Sequence, residues 1–525
     1  MSDTAAPSPP RLIALHALAA VTLGLTQGLG NQLVAANAIA IQGHFLVTAN
    51  EAAWLPAAYT ATSITATLLL YKVRNRYGLR LFAEAGLALF ATLALLHLLI
   101  SDYRLMVALR AAAGFAAAPL STLSFLYCVQ VMAPQHRLSV GLSLGVLGSQ
   151  LAPPLARLIA PALLDVGGWQ GMVVMEAGLA LICLAIVVRL PLAPNPRAKV
   201  FDPIDGISFP MLMLGTGLLS LSLSLGRLYW WLEADWLGLC LAASVLLLAG
   251  VVAIELNRRQ AMIDIRWMMQ PQMILFAGVM LFARALMSEP SAITVSFFQT
   301  LGLQNSDLAG MELRIILAIL AGTAVSCLIV APPRAPAIHA ASFALIALGA
   351  WLQSFATSQS RPPDFYLSQS LIAFGSGLFL PSALAWGIGW VFQTAPQNLL
   401  SFLAVFLGTN VLGGQIGSAL FGSLLVLREK YHSSHIVEPL VLSNPLLAQR
   451  VQQYGAAYRA VIEDPAMRQG QGLRQLGQIA TREANALAYD DLFLLVAAIA
   501  VAMLLVLGIH AGIRAWRERT AALPA

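Results

Sequence analysis

Seven ionisable residues lie inside long apolar stretches of this chain, where a lone charge is unfavourable. They are Arg110, Arg157, Glu176, Arg284, Glu289, Glu312 and Arg314. A charge near the middle of a bilayer costs roughly 2.5 to 3.5 kcal/mol even on insertion scales, so such residues usually serve binding or proton transfer. Four arginines against three glutamates predict a wet, electropositive cavity that receives an anionic or polar compound. The alternative is that these residues pair among themselves as structural ion pairs.

Proton coupling is the second chemistry that these residues could supply. A proton-coupled carrier needs a carboxylate whose protonation responds to desolvation and to an approaching cation. Glu176 and Glu289 are the predicted coupling carboxylates because they lie well inside apolar runs. Three amides near the start of the chain, Gln27, Asn31 and Gln32, stand among small and apolar residues and are predicted to line the same cavity.

The composition identifies the elements that position these residues. Of 525 residues, 10% are charged and 59% are hydrophobic, and the mean hydropathy is +0.77. A soluble chain would carry about 25% charged residues. Apolar stretches close to the ~20 residues needed to cross a hydrocarbon core as helix recur along the chain. The sequence therefore predicts an all-α polytopic membrane protein whose surroundings are lipid.

Fourteen membrane-spanning helices are predicted. They are 12–41, 53–71, 81–100, 105–131, 138–163, 172–190, 207–225, 236–256, 273–298, 308–330, 338–355, 367–391, 399–427 and 492–511. Pro153-Pro154 predicts a bend in the fifth of these helices, since proline removes a backbone hydrogen bond. Gly413 and Gly417 in the thirteenth are four apart, a spacing that lets helices approach closely in lipid.

The short loops between these helices are basic, and they predict the orientation. The segment Lys72–Arg80 sets four cations in nine residues between two apolar runs. Short loops rich in lysine and arginine stay in the cytoplasm, so this face and both termini are predicted to be cytoplasmic. Further basic loops lie at 197–199, 258–266, 334 and 514–519. The net charge of +6 thus has a topological explanation, and nucleic-acid binding is not expected.

One long polar segment, residues 428–491, is predicted on the periplasmic side. Its pattern indicates two amphipathic helices separated at Glu463-Asp464-Pro465. The segment is either a solvated hairpin cap or a docking surface for a periplasmic partner.

The sequence lacks the residue clusters that an enzyme active site or a metal site requires. The four cysteines have no metal-ligand or CxxC spacing, so no metal is expected. No catalytic cluster and no nucleotide-binding loop is found, so the chain is predicted not to be an enzyme. Without a nucleotide-binding domain, its energy would come from an ion gradient or from the substrate's own gradient; no cofactor is expected, and a proton gradient is the expected source.

Several motifs along the chain resemble the major facilitator superfamily, and more narrowly its fourteen-helix drug:proton antiporters of the EmrB/QacA type. They are Ala36-Asn37-Ala38-Ile39-Ala40, Arg76-Tyr77-Gly78-Leu79-Arg80-Leu81-Phe82, Arg110 with Gly114, Phe201-Asp202-Pro203-Ile204-Asp205-Gly206 and Gly413-Gly414-Gln415-Ile416-Gly417. The resemblance implies a six-helix bundle in residues 1–190, a linker with two inserted helices in 191–270, and a second bundle in 271–525.

The resemblance also implies roles for single residues. Arg110 takes the place of the arginine that acts in proton coupling, and Arg76, Gly78 and Arg80 belong to the loop that gates the inner face. This chain departs from the antiporter pattern where Gln32 replaces an acidic residue and Glu176 replaces an asparagine. The coupling carboxylate is therefore expected at Glu176 or Glu289.

The resulting hypothesis is a multi-pass carrier of the bacterial inner membrane. It would export amphipathic toxic compounds or drugs, with aromatic or fatty acids among them, and could pass them to a periplasmic adaptor and outer-membrane channel through residues 428–491. Two alternatives remain open: an uptake carrier for a small organic metabolite, and a non-transporting membrane scaffold.

Overall fold

The computed structural model describes residues 9–193, 202–258 and 263–521, without side chains at 65, 67–72, 75 and 514–521. The predicted basic loop at 197–199 lies outside the described residues. Within them all regular structure is helical. The long helices are α1 (Pro10–Ala35), α2 (Trp54–Tyr77), α3 (Leu79–Leu96), α4 (Tyr103–Val131), α5 (Leu142–Arg189), α6 (Asp205–Tyr229), α7 (Asp235–Asn257), α8 (Pro271–Thr300), α9 (Ala309–Ile329), α10 (Ala335–Gln353), α11 (Tyr366–Thr394), α12 (Leu399–Val437) and α13 (Pro465–Ala521).

Twelve of these helices, all but α2, are long and apolar enough to cross a membrane, as counted over the described residues. In several of these helices only a small share of the most apolar 18 residues is buried inside the protein. In α7 that share is 17%. Side chains that remain apolar and unburied in so many long helices face lipid. The chain is a polytopic membrane protein.

Helix α5 is where structure and expectation differ most. Two helices with a loop between Leu163 and Met172 were expected, but the structure is helical from Leu142 to Arg189 except at Gly168, where φ is 56° and ψ is −139°. Glycine adopts this left-handed φ without steric cost. Pro153 and Pro154 lie inside the helix with helical dihedral angles. Between Leu142 and Arg189 the non-helical φ and ψ angles are thus at Gly168, and the bend at Pro153-Pro154 stays a prediction.

Helix α1 is shorter than expected. It ends at Ala35, and a separate helix, Ala38–Phe45, follows the break at Ala36 and Asn37. The Asn37 side chain donates a 2.7 Å hydrogen bond to the carbonyl of Leu33. Such a local bond competes with the helical hydrogen-bond pattern at this break.

Glycines allow close packing of helix pairs. Helix α1 packs on α5, where a Cβ atom added to Gly28 would lie 2.4 Å from the Cβ atom of Ala152. Helix α8 packs on α12, where a Cβ atom at Gly417 would lie 2.6 Å from the carbonyl oxygen of Ala285. Helix α2 packs on α4, and α9 packs on α11. Contacts of α5 with α9 and of α2 with α12 join these pairs into one bundle.

Helices α6 and α7 form a pair beside this bundle. Helix α6 contacts α2 and α12, while most contacts of α7 are with α6. At one end of the pair the Arg258 guanidinium lies 2.7 Å from Asp205 Oδ1 and 3.3 Å from Glu255 Oε1. At the other end the Trp231 indole donates a 2.8 Å hydrogen bond to Ser423 Oγ on α12.

The bundle has two ends, which we name for their loops. The basic-loop face contains the turn at Gly78, the 132–137 loop and the 395–398 loop; the opposite face contains residues 36–54, 300–308 and 438–464. At the opposite face α12 extends to Val437, and a short helix, Pro445–Ala456, packs on the first turns of α13. The two expected amphipathic helices are present, but the second is continuous with α13 instead of separate from it.

Candidate functional site

A cavity of about 480 Å³ lies between α2, α4 and α5 on one side and α11 and α12 on the other, near the basic-loop face. Most of its wall is apolar, including Phe125 and Leu142 on one side and Leu403 and Leu407 on the other. Arg74 and Arg137 contribute cationic side chains to the same wall. A cavity of this size, mostly apolar with a few polar groups, suits a small amphipathic molecule.

A buried ion pair joins α5 to α9 at the opposite face. Arg157 Nε lies 2.5 Å from Glu312 Oε1, and Arg157 Nη2 donates a 3.2 Å hydrogen bond to Glu312 Oε2. Arg157 Nη1 also donates to Ser291 Oγ on α8 at 3.0 Å. Nearby, Asn305 Nδ2 donates a 3.0 Å hydrogen bond to the carbonyl of Ala36. These bonds join the N-terminal helices to the C-terminal ones at the opposite face.

Arg110 and Glu176 form a second buried ion pair within the N-terminal helices. Arg110 Nη1 lies 3.1 and 3.2 Å from the two carboxylate oxygens of Glu176, and its Nη2 donates to the carbonyl of Gly30. The guanidinium carbon lies 4.7 Å from the ring centroid of Tyr59. The Arg110 side chain is fully buried. Sequence reasoning named both residues but could not show that they contact each other.

Glu289 occupies a different environment. Its carboxylate accepts hydrogen bonds from Thr294 Oγ1 and, at 3.1 and 3.3 Å, from Gln369 Nε2. The side chain is fully buried beside the π-helical turn Pro290–Thr294 of α8. Within the described residues it has no ion-pair partner. Thr294 and Gln369 were not predicted, since a neutral polar residue in an apolar run gives a weak signal.

Arg284 lies on α8 against α12. Its Nε donates a 3.0 Å hydrogen bond to the carbonyl of Asn410, and its Nη1 lies 3.9 Å from the sulfur of Met287. A Cβ atom at Gly413 would lie 2.8 Å from the Cβ atom of Arg284. The side chain is half-buried and, over the described part of the chain, has no carboxylate partner.

The other residues predicted to line a substrate cavity have different positions. Asn31 donates a 3.1 Å hydrogen bond to Thr60 Oγ1, while the backbone carbonyl of Gln27 accepts from the Tyr59 hydroxyl. Gln32 is half-buried. Arg314 is exposed, and its guanidinium carbon stacks 3.7 Å from the ring centroid of Tyr366.

The 480 Å³ cavity is lined by a different set of residues from those that were predicted. Gln27, Asn31, Gln32, Arg157, Arg284, Glu312 and Arg314 are all absent from its wall. The role of those seven residues in substrate binding therefore stays a prediction. The residues that line this cavity could not be identified from sequence, because a leucine or phenylalanine that faces a cavity has the same hydropathy as one that faces lipid.

The predicted gating loop lies at the end of α2. Gly78 ends this helix with a φ of 94°, a value that favours glycine. Arg76 is exposed, and Arg80 Nε lies 2.8 Å from Glu84 Oε1 in an exposed ion pair. Arg74, one turn earlier, is the arginine of this segment that lines the cavity.

Comparison with known proteins agrees with this architecture. The family model of the Major Facilitator Superfamily matches residues 18–422. The cephamycin export protein CmcT of Amycolatopsis lactamdurans is 24% identical over 403 residues, which cover 73% of this chain and 81% of that protein. The crystal structure of the human organic anion transporter MFSD10 (TETRAN) has a similar fold, with a TM-score of 0.54 and 12% identity over 94% of this chain and 100% of that one. This chain belongs to the Major Facilitator Superfamily and is a membrane transporter rather than an enzyme.

Proposed function

We propose that this transporter is a proton-coupled exporter of amphipathic toxic compounds or drugs, aromatic and fatty acids among them, and that it works by alternating access. The observation that supports this most directly is the asymmetry of the bundle. A cavity lies near the basic-loop face, while the buried Arg157–Glu312 pair joins the two halves at the opposite face. A carrier that alternates around a central site requires such a one-sided state. Similarity to CmcT, which is named as an export protein, supports the direction of transport.

Fourteen membrane crossings are the topology that we propose. The two parts of α5 on either side of Gly168 would each cross once, and α2 would cross as well. Residues 1–190 and 271–525 would then form two six-helix bundles, with α6 and α7 as the inserted pair in the linker 191–270. Both termini and the basic-loop face would be cytoplasmic in a bacterial inner membrane, since short basic loops favour that side.

Proton coupling is proposed to involve Arg110, Glu176 and Glu289. A proton on Glu176 would remove the charge that holds Arg110 and would free the guanidinium for a rearrangement. Glu289 has only neutral hydrogen-bond partners in the described structure, so it can gain or lose a proton without breaking an ion pair. The proton gradient would supply the energy, with no cofactor.

Residues 428–491 are proposed to face the periplasm and to receive a periplasmic adaptor that leads to an outer-membrane channel. The packed pair formed by Pro445–Ala456 and the start of α13 supports this, because it extends beyond the membrane-spanning part of α12 as an ordered helical surface.

Substrate-induced pH change in proteoliposomes tests the proposal. Purified protein is reconstituted with an internal pH indicator, and 2-naphthoate or tetraphenylphosphonium is added. We expect proton movement with wild type, and its loss in Glu176→Gln or Glu289→Gln. Glu84→Gln, which removes only the half-buried partner of the exposed Arg80, is the matched control and should behave as wild type.

Three results would argue against the proposal in different ways. Proton movement that persists in both glutamine variants would place coupling elsewhere. Substrate accumulation in intact cells would favour an uptake carrier. No proton or substrate movement with any compound would favour a non-transporting scaffold.

A further inference from the structure

We propose that Arg284 forms the anion-binding end of the transport cavity and selects substrates that carry a carboxylate or sulfonate on an apolar body. This inference rests on the proposed transport function, and it names the charge and the recognising residue. It follows from the position of Arg284 against the cavity face of α12, from guanidinium donors that have no strong acceptor among the described residues, and from the pairing of Arg110 and Arg157.

The side of α12 that lines the cavity continues along the helix to the residues against which Arg284 packs. Leu403 and Leu407 line the cavity. Asn410 lies seven residues after Leu403, and Gly414 lies seven residues after Leu407. Residues seven apart lie on the same side of an α-helix. At 1.5 Å per residue, the later pair lies about 10 Å farther from the basic-loop face. Arg284 contacts this later pair, because its Nε donates to the Asn410 carbonyl.

Open space remains around the guanidinium at this position. A Cβ atom placed on Gly414 would lie 3.8 Å from Arg284 Nη2 and within 4 Å of no other described atom. The side-chain Oδ1 atom of Asn410 is buried and has no hydrogen-bond partner within the described residues. A polar atom left unpaired in the protein interior is unfavourable and indicates a missing partner, either water or a ligand.

The guanidinium itself has donors to spare. Its Nε is used by the Asn410 carbonyl, Nη1 has only the weak acceptor sulfur of Met287, and Nη2 has no hydrogen bond in the described structure. The two Nη groups can therefore donate to the two oxygens of one carboxylate or sulfonate. Arginine binds such groups with two parallel hydrogen bonds, which lysine cannot reproduce.

Two other intramembrane arginines are already neutralised, which distinguishes Arg284 from them. Arg110 is paired with Glu176, and Arg157 is paired with Glu312. A cation left without a counter-ion at membrane depth is costly, and a bound anion would supply that counter-ion. Cavity and charge together predict that an acid binds with its apolar body among Leu403, Leu407 and Phe125, and with its anionic group on Arg284.

Equilibrium binding to the purified full-length protein in lipid nanodiscs tests this directly. The probes are 2-naphthoate, its uncharged methyl ester and a naphthyl trimethylammonium cation, which share one ring system and differ in charge. For wild type we expect the naphthoate to bind more tightly than the other two. Arg284→Gln should weaken naphthoate binding roughly ten- to a hundredfold, the range expected for loss of hydrogen bonds to a charged group, and should leave ester binding unchanged.

Two further variants keep the test informative if Arg284→Gln is unstable. Asn410→Asp retains Arg284 but places a competing carboxylate beside it, so it should also abolish the preference for naphthoate. Arg104→Gln removes an exposed arginine at the start of α4, away from the predicted cavity residues, and it should bind all three probes like wild type. Unchanged naphthoate affinity in Arg284→Gln, or preference for the cation in wild type, would overturn the proposal.

Equilibrium binding needs no proton gradient. The binding assay can therefore succeed or fail independently of the proton-movement assay that tests the proposed function. Naphthoate binding that depends on Arg284 without any proton movement would uphold the anion site and argue against proton-coupled export. Proton movement driven only by tetraphenylphosphonium would uphold coupling and overturn the anion site.

Discussion

Arg157 and Glu312, which are separated by 155 residues in sequence, form a 2.5 Å contact that joins α5 to α9 at the opposite face. Their side chains are 6% and 0% exposed. An ion pair removed from water to this degree stabilises the state that contains it only while both partners are present. The pair is therefore well suited to hold one conformation of a carrier and to be broken in the other.

Glu312→Gln should favour opening of the opposite face. Removing one partner of a buried ion pair costs about 3 to 5 kcal/mol. Here the change destabilises the conformation that contains the pair relative to the one in which the opposite face is open. The measurement is the rate at which an impermeant maleimide labels Asn305→Cys in a background without the four native cysteines. We expect faster labelling in Glu312→Gln than in the background protein.

A double variant distinguishes the effect of one unpaired buried charge from general damage to the fold. Arg157→Met with Glu312→Met replaces the pair with apolar side chains and leaves no unpaired charge, so labelling should return toward the background rate. Equal labelling rates in all three proteins would show that the pair does not hold this face closed.

Much of the membrane topology could be predicted from sequence, because the apolar runs have the length that a bilayer requires. The positions at which helices end or break were less predictable. At Gly168 the chain turns without leaving helical geometry on either side, and at Asn37 a side-chain hydrogen bond interrupts a run that hydropathy alone treats as continuous. Such breaks depend on single backbone and side-chain conformations, which an average over ~20 residues does not detect.

The candidate site residues show a similar limit. Charge inside apolar runs identified Arg110, Glu176 and Arg157, but the pairing of each depends on which helices are neighbours. Arg314 gives the same sequence signal as Arg157, yet it is exposed and stacks on Tyr366. Sequence gives the depth of a residue along a helix, but the direction of its side chain depends on the packing of the whole bundle.

Arg110→Lys should destabilise the protein although it keeps the charge. The guanidinium bonds Glu176 through Nη1 and the Gly30 carbonyl through Nη2, and a single ammonium group cannot reach both in this geometry. We expect a melting temperature several degrees lower for the purified protein in detergent. Arg314→Lys is the control, since its position is exposed; equal losses in both variants would show that the geometry at Arg110 is unimportant.

Gly472→Ala should loosen the helical pair at the opposite face. A Cβ atom there would lie 2.2 Å from the carbonyl oxygen of Val451, so the helix Pro445–Ala456 would have to move away from α13. Limited trypsin digestion should then cleave faster at Arg450 and Arg459. Gly470→Ala, where an added Cβ atom meets nothing within 4 Å, should be digested like wild type. If the pair serves only adaptor docking, transport in proteoliposomes should be the same in both variants.

Gly417→Ala should separate α8 from α12 and impair both stability and transport. The added Cβ atom would lie 2.5 Å from Ser288 Oγ and 2.6 Å from the carbonyl oxygen of Ala285, and backbone atoms cannot yield as a flexible side chain can. Overpacking of this kind costs about 1 to 3 kcal/mol. The melting temperature in detergent and naphthoate-driven proton movement are the two measurements, and we expect both to fall.

Gly408→Ala on the same helix is the matched control for this change. An added Cβ atom there meets nothing within 4 Å, so the substitution raises helix propensity without a clash. Its stability should equal or slightly exceed that of wild type. Because Arg284 lies one turn before Ser288 on α8, displacement of α8 by Gly417→Ala should also weaken naphthoate binding. Naphthoate binding that is unchanged while the melting temperature falls would show that the anion site tolerates movement between these two helices.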